Sequence, residues 1–86
     1  IAQKYRAYLK LEKGLSTNSV EAYLIDYQRL ARYCEAHEID VVHATFDDLQ
    51  AFVFDISKEI ISVRTQARLI AGIHSFYRFL LYHNYI

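Results

Sequence analysis

The chain has 86 residues, of which 53% are hydrophobic and 15% aromatic, and its ten basic side chains balance its ten acidic ones. This length is that of a single folding unit and excludes a two-domain enzyme, while the apolar content excludes an intrinsically disordered chain. A single cysteine excludes an internal disulfide, and no Cys and His spacing matches a zinc finger. We therefore expect one domain that folds without disulfide bonds or a structural metal. We expect it in a reducing compartment, the cytoplasm.

The apolar runs of the sequence are too short to cross a membrane. The longest, such as residues 69–73, fall far below the ~18 residues that span a bilayer, and no basic start leads into an apolar signal segment. These patterns predict a soluble protein with no membrane partner. The sequence begins at Ile1 and contains no Met, which is typical of a segment of a longer protein.

The first two predicted elements are helices. Pro is absent and Gly occurs twice, a composition that favours helices over a turn-rich sheet. Residues 2–13 carry apolar side chains at three- and four-residue spacing, and Gly14 follows where a left-handed C-terminal cap is expected. Ser16 is placed to cap a second helix over 17–37, whose apolar stripe ends at Cys34. The side chains expected to face the core from the first helix are Tyr5, Tyr8, Leu9 and Leu11.

Two further helices follow a short connector. Thr45 and Asp48 have the spacing of a capping box and open a short third helix. After a loop at 57–61, a long fourth helix carries two adjacent apolar stripes, which is typical of the central helix of a bundle. One stripe consists of Ala67, Ile70, Tyr77 and Leu81, and the other of Leu69, Ile73, Phe76 and Leu80. The predicted fold is all-α, with four helices over about 2–13, 17–37, 46–56 and 63–82.

The zero net charge is the sum of three unlike segments. Residues 1–34 hold six basic and three acidic side chains, residues 35–59 hold one basic and seven acidic ones, and residues 60–86 hold three arginines with no acid. The net charges are therefore +3, −6 and +3. Because surface helices commonly mix both signs, the all-basic last segment favours an anionic partner.

Two predicted helix starts share a pattern that suits an anion. Leu15 and Ile61 are each followed by a hydroxyl residue that can cap the helix, with a second hydroxyl three residues later. Unpaired backbone N–H groups and the positive end of the helix dipole favour negative charge there. On the last helix, Arg64 and Arg68 lie about 6 Å apart along the axis, close to the spacing of phosphates. With Ser62 and Thr65 they form a candidate phosphate-binding surface, with Thr65 or Gln66 near base edges.

The same residues also fit a plainer interpretation. Two capped helix starts with hydrophobic staples, and a solvated polar face on a surface helix, are common in helical proteins. A parallel face on the second helix consists of Ile25, Gln28, Arg29 and Arg32. Glu21 and Asp26 dilute the positive field of that face, so that charge alone makes a weak case there.

Catalytic and metal sites are not indicated. The four histidines are scattered without an i, i+4 pair, and Cys34 falls on an apolar stripe as a small core residue would. Asp47 and Asp48 lie at a predicted helix start, where acidic side chains are stabilised by the helix dipole, so that they need no catalytic role. No Gly-rich phosphate loop, nucleophile elbow or His-Glu-x-x-His motif occurs. We expect no catalytic residue, metal, cofactor or small-molecule ligand, and we assign the tyrosines to the core and its rim.

Residues 12–27 read EKGLSTNSVEAYLIDY and resemble the N-terminal, SAM-like core-binding domain of tyrosine recombinases, the phage integrase and Xer group. That family typically has Glu-Lys-Gly-Leu-Ser, two residues leading to Asn-Thr, then a Tyr and an Asp-Leu before a long aromatic helix. Residues 45–52 resemble its short third helix and residues 62–81 its last long helix. The resemblance covers nearly the whole chain, although His74 stands where the family often has Arg.

The resemblance implies that residues 1–86 form a four-helix, SAM-like DNA-binding module, half of a clamp around duplex DNA. In the family, the second and fourth helices face the major groove and the backbone. By matching positions, the residues expected to contact DNA are Ser16, Thr17, Asn18, Ser19, Ser62, Arg64, Thr65 and Arg68. The first helix and the C-terminal region often contact other recombinase subunits, which implies a homo-oligomer of the parent protein on DNA. The strand-cleavage residues of the family belong to a C-terminal domain absent from this sequence, so that we expect no enzymatic activity of the segment itself.

The sequence therefore predicts a double-stranded-DNA-binding domain of a site-specific recombinase or integrase. The alternative is a helical protein-interaction module that uses the acidic segment 35–59 to bind a basic partner and has no role on DNA. The two hypotheses differ in whether Arg64, Arg68 and the start of the second helix at Ser16 converge on one positive concave face, which favours DNA binding. Burial of their face, or pairing with Asp47 and Asp55, favours the protein-interaction module.

Overall fold

The computed structural model describes residues 1–59 and 62–86, and within these ranges the chain is helical and without strands. The predicted all-α fold is confirmed, and each predicted helix boundary agrees with the structure within one residue. The predicted loop at 57–61 includes residues 60 and 61, which lie outside the described residues. The helices are α1 (Ala2–Ala7), which continues as a π-helical segment (Tyr8–Glu12), α2 (Thr17–Ala36), α3 (Phe46–Ser57) and α4 (Val63–Tyr82), with a 3-10 turn (Val41–His43) between α2 and α3.

The first helix widens before it ends. The N–H of Lys13 donates to the carbonyl of Tyr8, five residues earlier, with an N···O distance of 3.1 Å. Gly14 then adopts a φ of +63°, the left-handed conformation that the sequence predicts at this position. Leu11, predicted to face the core, is 78% exposed. A π-helical turn holds more residues than an α-helical turn, so Leu11, two positions after the buried Leu9, is rotated out of register with the apolar stripe.

Aromatic rings from α1, α2 and α4 meet at the centre of the core. The ring centroid of Tyr5 lies 5.2 Å from that of Phe76 and 5.3 Å from that of Phe79, and Tyr27 lies 4.8 Å from Phe76. Ring pairs at these distances contribute about 0.5–1.5 kcal/mol each beyond the area they bury. The core thus joins the two ends of the chain, α1 and α4.

Helix α4 buries one of its two predicted apolar stripes. The buried stripe is the predicted set Leu69, Ile73, Phe76 and Leu80, to which Phe79 adds a fully buried ring. In the other stripe, Ile70 and Leu81 remain 44% and 60% exposed. The helix therefore packs on its neighbours mainly along one of the two predicted stripes.

The connector and α3 are held by side-chain caps. Thr45 and Asp48 form the predicted capping box, in which Oγ1 of Thr45 accepts from the N–H of Asp48 at 3.2 Å and Oδ2 of Asp48 accepts from the N–H of Thr45 at 2.9 Å. Before them, Asp40 accepts from the N–H of Val42 at 3.0 Å and lies 2.8 Å from Nδ1 of His43. The hydrogen bond from His43 holds the pKa of Asp40 below its ordinary value. These local bonds fix the path between α2 and α3.

Candidate nucleic-acid interface

Helix α2 begins with a row of exposed polar side chains. Oγ of Ser16 accepts from the N–H of Ser19 at 3.3 Å, as the sequence predicts for an N-cap, and Oγ of Ser16 and Oγ of Ser19 lie 3.2 Å apart. Thr17 and Asn18 are exposed in the first turn, where backbone N–H groups have no acceptor within the helix. The start of α2 therefore presents hydroxyl, amide and N–H donors to solvent, the groups that bind phosphate oxygens.

Helix α4 begins in the same way. Oγ of Ser62 accepts from the N–H of Thr65 at 3.4 Å, and the carbonyl of Ser62 accepts from the N–H of Gln66 at 3.1 Å. Arg64 is exposed in this first turn. Ile61, which completes the sequence pattern shared with the start of α2, lies outside the described residues. The predicted capping roles of Ser16 and Ser62 are both confirmed.

Arg68 is bound to a buried carboxylate of α2. Its Nε donates to Oδ2 of Asp26 at 3.1 Å and its Nη2 donates to Oδ1 at 3.0 Å. The Asp26 carboxylate is 2% exposed, whereas the Arg68 side chain is 38% exposed. The hydrogen bonds to Asp26 raise the pKa of Arg68 above its ordinary value. Because a guanidinium carries five N–H groups, three of them remain for another acceptor.

This pair corrects two expectations from the sequence. The absence of acids between residues 60 and 86 suggested that the arginines of α4 have no carboxylate partner, but α2 supplies one to Arg68. Asp26 was expected to dilute the positive field of α2, yet it is buried and paired. Glu21, the other acid expected to do so, forms an ion pair with Arg6 of α1. Both carboxylates are therefore compensated by arginines from other helices.

The contact between Asp26 and Arg68 is where α2 and α4 meet. The backbone of Gly72, one turn further along α4, lies against the same carboxylate, and a Cβ placed on Gly72 would be 3.5 Å from Oδ2 of Asp26. Asp26 is ten residues from Ser16, and Arg68 is six residues from Ser62. The two helix starts thus lie about 15 Å and about 9 Å from this contact along their own axes.

The other arginines of α2 and α4 differ in their exposure to solvent and in their contacts. Among the described residues, Arg64 and Arg78 form no ion pair, and neither Arg64 nor Arg68 pairs with Asp47 or Asp55. Arg29, expected on the exposed face of α2, is instead half-buried against α3, and its Nη1 atom is buried without a hydrogen-bond partner. It lines a cavity of about 280 Å³ beneath α3. Only Ile25, Gln28 and Arg32 of that predicted face are exposed to solvent.

Two titratable groups outside the helix starts, Cys34 and Tyr5, are buried in the core. Cys34 is 2% exposed, and burial raises the pKa of its thiol, in keeping with the predicted core position. The hydroxyl of Tyr5 donates to the carbonyl of Gly72 at 3.4 Å, and burial raises its pKa to about 12. Over residues 1–59 and 62–86, no three His, Cys, Asp or Glu side chains come together as a metal site would require. No helix in these ranges has the length and apolarity needed to cross a bilayer.

Comparison with known proteins gives a match over almost the whole chain. A family model described as phage integrase, N-terminal SAM-like domain, matches residues 2–84. No solved structure gives a significant match.

Curated relatives include bacterial tyrosine recombinases. Tyrosine recombinase XerC of Leptospira interrogans serogroup Icterohaemorrhagiae serovar copenhageni (strain Fiocruz L1-130) is 33% identical over 81 residues, which cover 93% of this chain and 26% of the relative. XerC of Lacticaseibacillus casei (strain BL23) is 32% identical over 78 residues, 88% of this chain and 26% of the relative. Tyrosine recombinase XerD of Bifidobacterium longum (strain NCC 2705) is 30% identical over 84 residues, 94% of this chain and 27% of the relative. The chain thus spans about a quarter of the length of these relatives.

Proposed function

Because the chain belongs to the phage integrase N-terminal SAM-like domain family, we propose that it binds duplex DNA as the core-binding domain of a tyrosine recombinase. In this role it forms half of a clamp around the duplex. The strand-cleavage chemistry belongs to the rest of a longer protein, which acts on DNA in the cytoplasm and assembles with further recombinase subunits.

The observation that carries the proposal is the pair of serine-capped helix starts, with the exposed Arg64 beside one of them. Ser16 and Ser62 each satisfy one N–H of their own helix, and the other N–H groups of a first helical turn have no acceptor within the helix. Exposed Arg64 adds a full positive charge at the start of α4. Backbone donors, hydroxyls and a guanidinium are the groups that bind phosphates without reading sequence.

Arg68 contributes to the same surface in a fixed orientation. Its two bonds to Asp26 hold the guanidinium plane, so that its remaining N–H groups lose little side-chain entropy when they bind a phosphate. The pairing of Glu21 and Asp26 with arginines removes the repulsion that these acids were expected to exert on the duplex. Thr17, Asn18 and Thr65 are the residues that we assign to groove contacts.

The protein-interaction alternative is less well supported on this surface. Ion pairs from Arg64 or Arg68 to Asp47 or Asp55 would support this alternative. None of these pairs is present among the described residues. Arg64 remains available to a phosphate group.

Arg64→Ala tests the proposal without disturbing a buried partner. We expect the variant to bind a random-sequence duplex more weakly, and the slope of log affinity against log salt to become shallower by about 1, because one phosphate contact is lost. Fluorescence anisotropy of a labelled duplex across a salt series measures both quantities.

Lys10→Ala is the matched control, because it also removes one exposed positive charge but lies on the π-helical segment. Its salt slope should equal that of the unaltered chain. An unchanged affinity and slope in Arg64→Ala, or an equal loss in both variants, would show that the start of α4 does not bind phosphates.

A further inference from the structure

A buried carboxylate lies beside a surface that is proposed to bind phosphates. Asp26 is 2% exposed and accepts hydrogen bonds from Nε and Nη2 of Arg68 at 3.1 and 3.0 Å. Within residues 1–59 and 62–86 it is the only buried residue with a charged side chain. Burial of an ion pair costs several kcal/mol per ion, and an apolar pair in its place is often at least as stable. Stability alone is therefore a weak reason for this pair.

The bonds to Asp26 use one edge of the Arg68 guanidinium and leave another. Nε and Nη2 lie on the same side of this planar group, so that Nη1 keeps both of its N–H bonds and Nη2 keeps one. The end of the fork thus retains two roughly parallel N–H bonds, the arrangement that binds two oxygens of one phosphate. Because the bonded edge faces a buried carboxylate, the 38% of the Arg68 side chain that is exposed belongs to its other atoms.

The fold sets the direction in which Arg68 points. A Cβ placed on Gly72 would lie 3.5 Å from Oδ2 and 3.6 Å from Cβ of Asp26, and 3.8 Å from Cδ1 of the half-buried Tyr23. The carbonyl of Gly72 in turn accepts a hydrogen bond from the hydroxyl of Tyr5 in the core, at 3.4 Å. Asp26 is therefore enclosed by parts of α2 and α4 that the core holds in place. The guanidinium bound to it is held more firmly than a flexible surface side chain.

Pairing with Asp26 also changes the charge that Arg68 brings to the surface. The pair of side chains has no net charge, whereas the exposed Arg64 brings a full positive charge. The salt dependence of DNA binding arises from counterions that are released when protein charges neutralise phosphates. A contact made by a neutral pair should therefore add affinity through oriented hydrogen bonds and add little to the salt slope.

We propose that Asp26 is a positioning residue for phosphate binding. It holds the Arg68 fork so that the remaining edge receives one phosphate of the duplex in a fixed direction relative to α2 and α4. It also cancels the charge of Arg68, so that this contact depends little on salt. The inference rests on the proposed DNA-binding function, in which it gives a role to a buried acid.

Asp26→Asn combined with Arg68→Gln replaces the pair by two amides and leaves the net charge of the chain at zero. We expect this paired variant to bind a random-sequence duplex about tenfold more weakly, because the oriented guanidinium is lost, with its salt slope nearly unchanged. Fluorescence anisotropy across a salt series measures both quantities, and circular dichroism shows whether the variant is folded.

Arg6→Gln with Glu21→Gln is the matched control, because it neutralises another ion pair between an arginine and a carboxylate of α2. This control should bind the duplex as the unaltered chain does. Equal affinity of the paired variant and the control would overturn the proposal, since the pair would then only join α2 to α4.

Asp26→Asn alone gives a readout that a structural role would not move. The amide keeps one acceptor for Arg68 and no longer cancels its charge, so that the salt slope should become steeper by about 1. The affinity at high salt should fall, because Arg68 is held by one bond fewer. An unchanged slope would overturn the proposal, and so would a higher affinity at every salt concentration, which would mean that Asp26 withholds Arg68 from DNA.

Nuclear magnetic resonance tests the same point on the unaltered chain. The Nε–H resonance of Arg68 should keep its chemical shift when duplex is added, because the bond to Asp26 is retained. A shift to the position of a solvated guanidinium would overturn the proposal. Arg64→Ala separates the two proposals: if it weakens duplex binding while the paired variant binds normally, the chain binds DNA without a positioning role for Asp26. If neither variant alters duplex binding, both proposals are wrong.

Discussion

Asp26 is the residue on which the relation between α2 and α4 depends. Its carboxylate is 2% exposed, and the two hydrogen bonds from Arg68 replace its lost hydration. A buried ion pair of this kind adds little stability over an apolar pair, but removing one partner strands the other. Arg68 is therefore more important to the fold than its place on an exposed polar stripe indicates.

Arg68→Ala should lower the free energy of unfolding by about 2–3 kcal/mol, because Asp26 is left buried without a partner. We expect the lower part of the range for buried pairs, since the Arg68 side chain is 38% exposed. Urea denaturation followed by circular dichroism measures the loss. Arg64→Ala, which removes an exposed arginine from the same helix, should change stability by less than about 0.5 kcal/mol. Equal losses in the two variants would contradict the role of Asp26.

Asn18→Asp should separate stability from DNA binding at the start of α2. A negative charge in the first turn should stabilise the helix by about 0.3–1 kcal/mol through its dipole. The same charge should weaken duplex binding, because it repels phosphates at the proposed surface. Gln3→Glu is the control, since Gln3 holds the equivalent second position of α1. A duplex affinity lowered equally by both changes would mean that only net charge matters.

At the scale of elements, sequence reasoning succeeded where the determining contacts are local. The caps at Ser16, Thr45 and Ser62 each depend on a residue three positions away, so that spacing alone identifies them. The left-handed conformation of Gly14 is also determined locally, by its position at the end of the first helix.

What sequence reasoning missed depends on contacts that are distant along the chain or on a local change of helix type. The Arg68–Asp26 pair joins residues 42 positions apart, and the enclosure of Arg29 requires the position of α3. Leu11 was misplaced because a single π-helical turn leaves no clear signal in an apolar pattern. The candidate site was therefore predictable as two helix starts, but not as two helices joined through Asp26.

The two glycines should respond in opposite directions to the same substitution. Gly14→Ala should cost about 1–2 kcal/mol, because φ at this position is +63° and a Cβ is strained there. Gly72→Ala should stabilise the chain by up to about 1 kcal/mol, because alanine favours the interior of α4 and its Cβ would meet Asp26 at an ordinary contact distance of 3.5 Å. Thermal and urea unfolding of the two variants measure both signs. A destabilising Gly72→Ala would show that the Asp26 carboxylate has no room to adjust.

At the scale of the whole molecule, charge is separated by surface rather than cancelled. The acids of residues 35–59 surround the connector and α3, and the starts of α2 and α4 are free of acidic side chains in their first turns. A neutral total therefore coexists with an acidic surface around α3 and with two helix starts whose first turns carry no acidic side chain. Interactions on both surfaces should weaken as ionic strength rises.

Buried tyrosines should make the whole fold sensitive to alkali. Burial raises the pKa of Tyr5 to about 12 and also raises those of Tyr27 and Tyr77. A tyrosine in the unfolded chain has a pKa of about 10, so the folded state binds protons more tightly. The stabilisation is complete below about pH 10 and is lost as the pH rises through the folded-state values.

Urea midpoints at a series of alkaline pH values, read with phenolate absorbance, measure this loss. Tyr5→Phe should flatten the dependence, because the largest part of the Tyr5 shift comes from burial of its hydroxyl. Tyr82→Phe, at a tyrosine that is 65% exposed, is the control and should leave the dependence unchanged. Identical curves for both variants would mean that Tyr5 does not couple folding to deprotonation.

The contact between the first and last helices also sets the order in which the chain can fold. Tyr5 meets Gly72 across 67 residues of sequence, so that its ring cannot be enclosed until a long loop has closed. During synthesis, α1, α2 and α3 leave the ribosome before α4, with their apolar faces uncovered and Asp26 still hydrated. The arrival of α4 then completes the core and brings Arg68 to the Asp26 carboxylate.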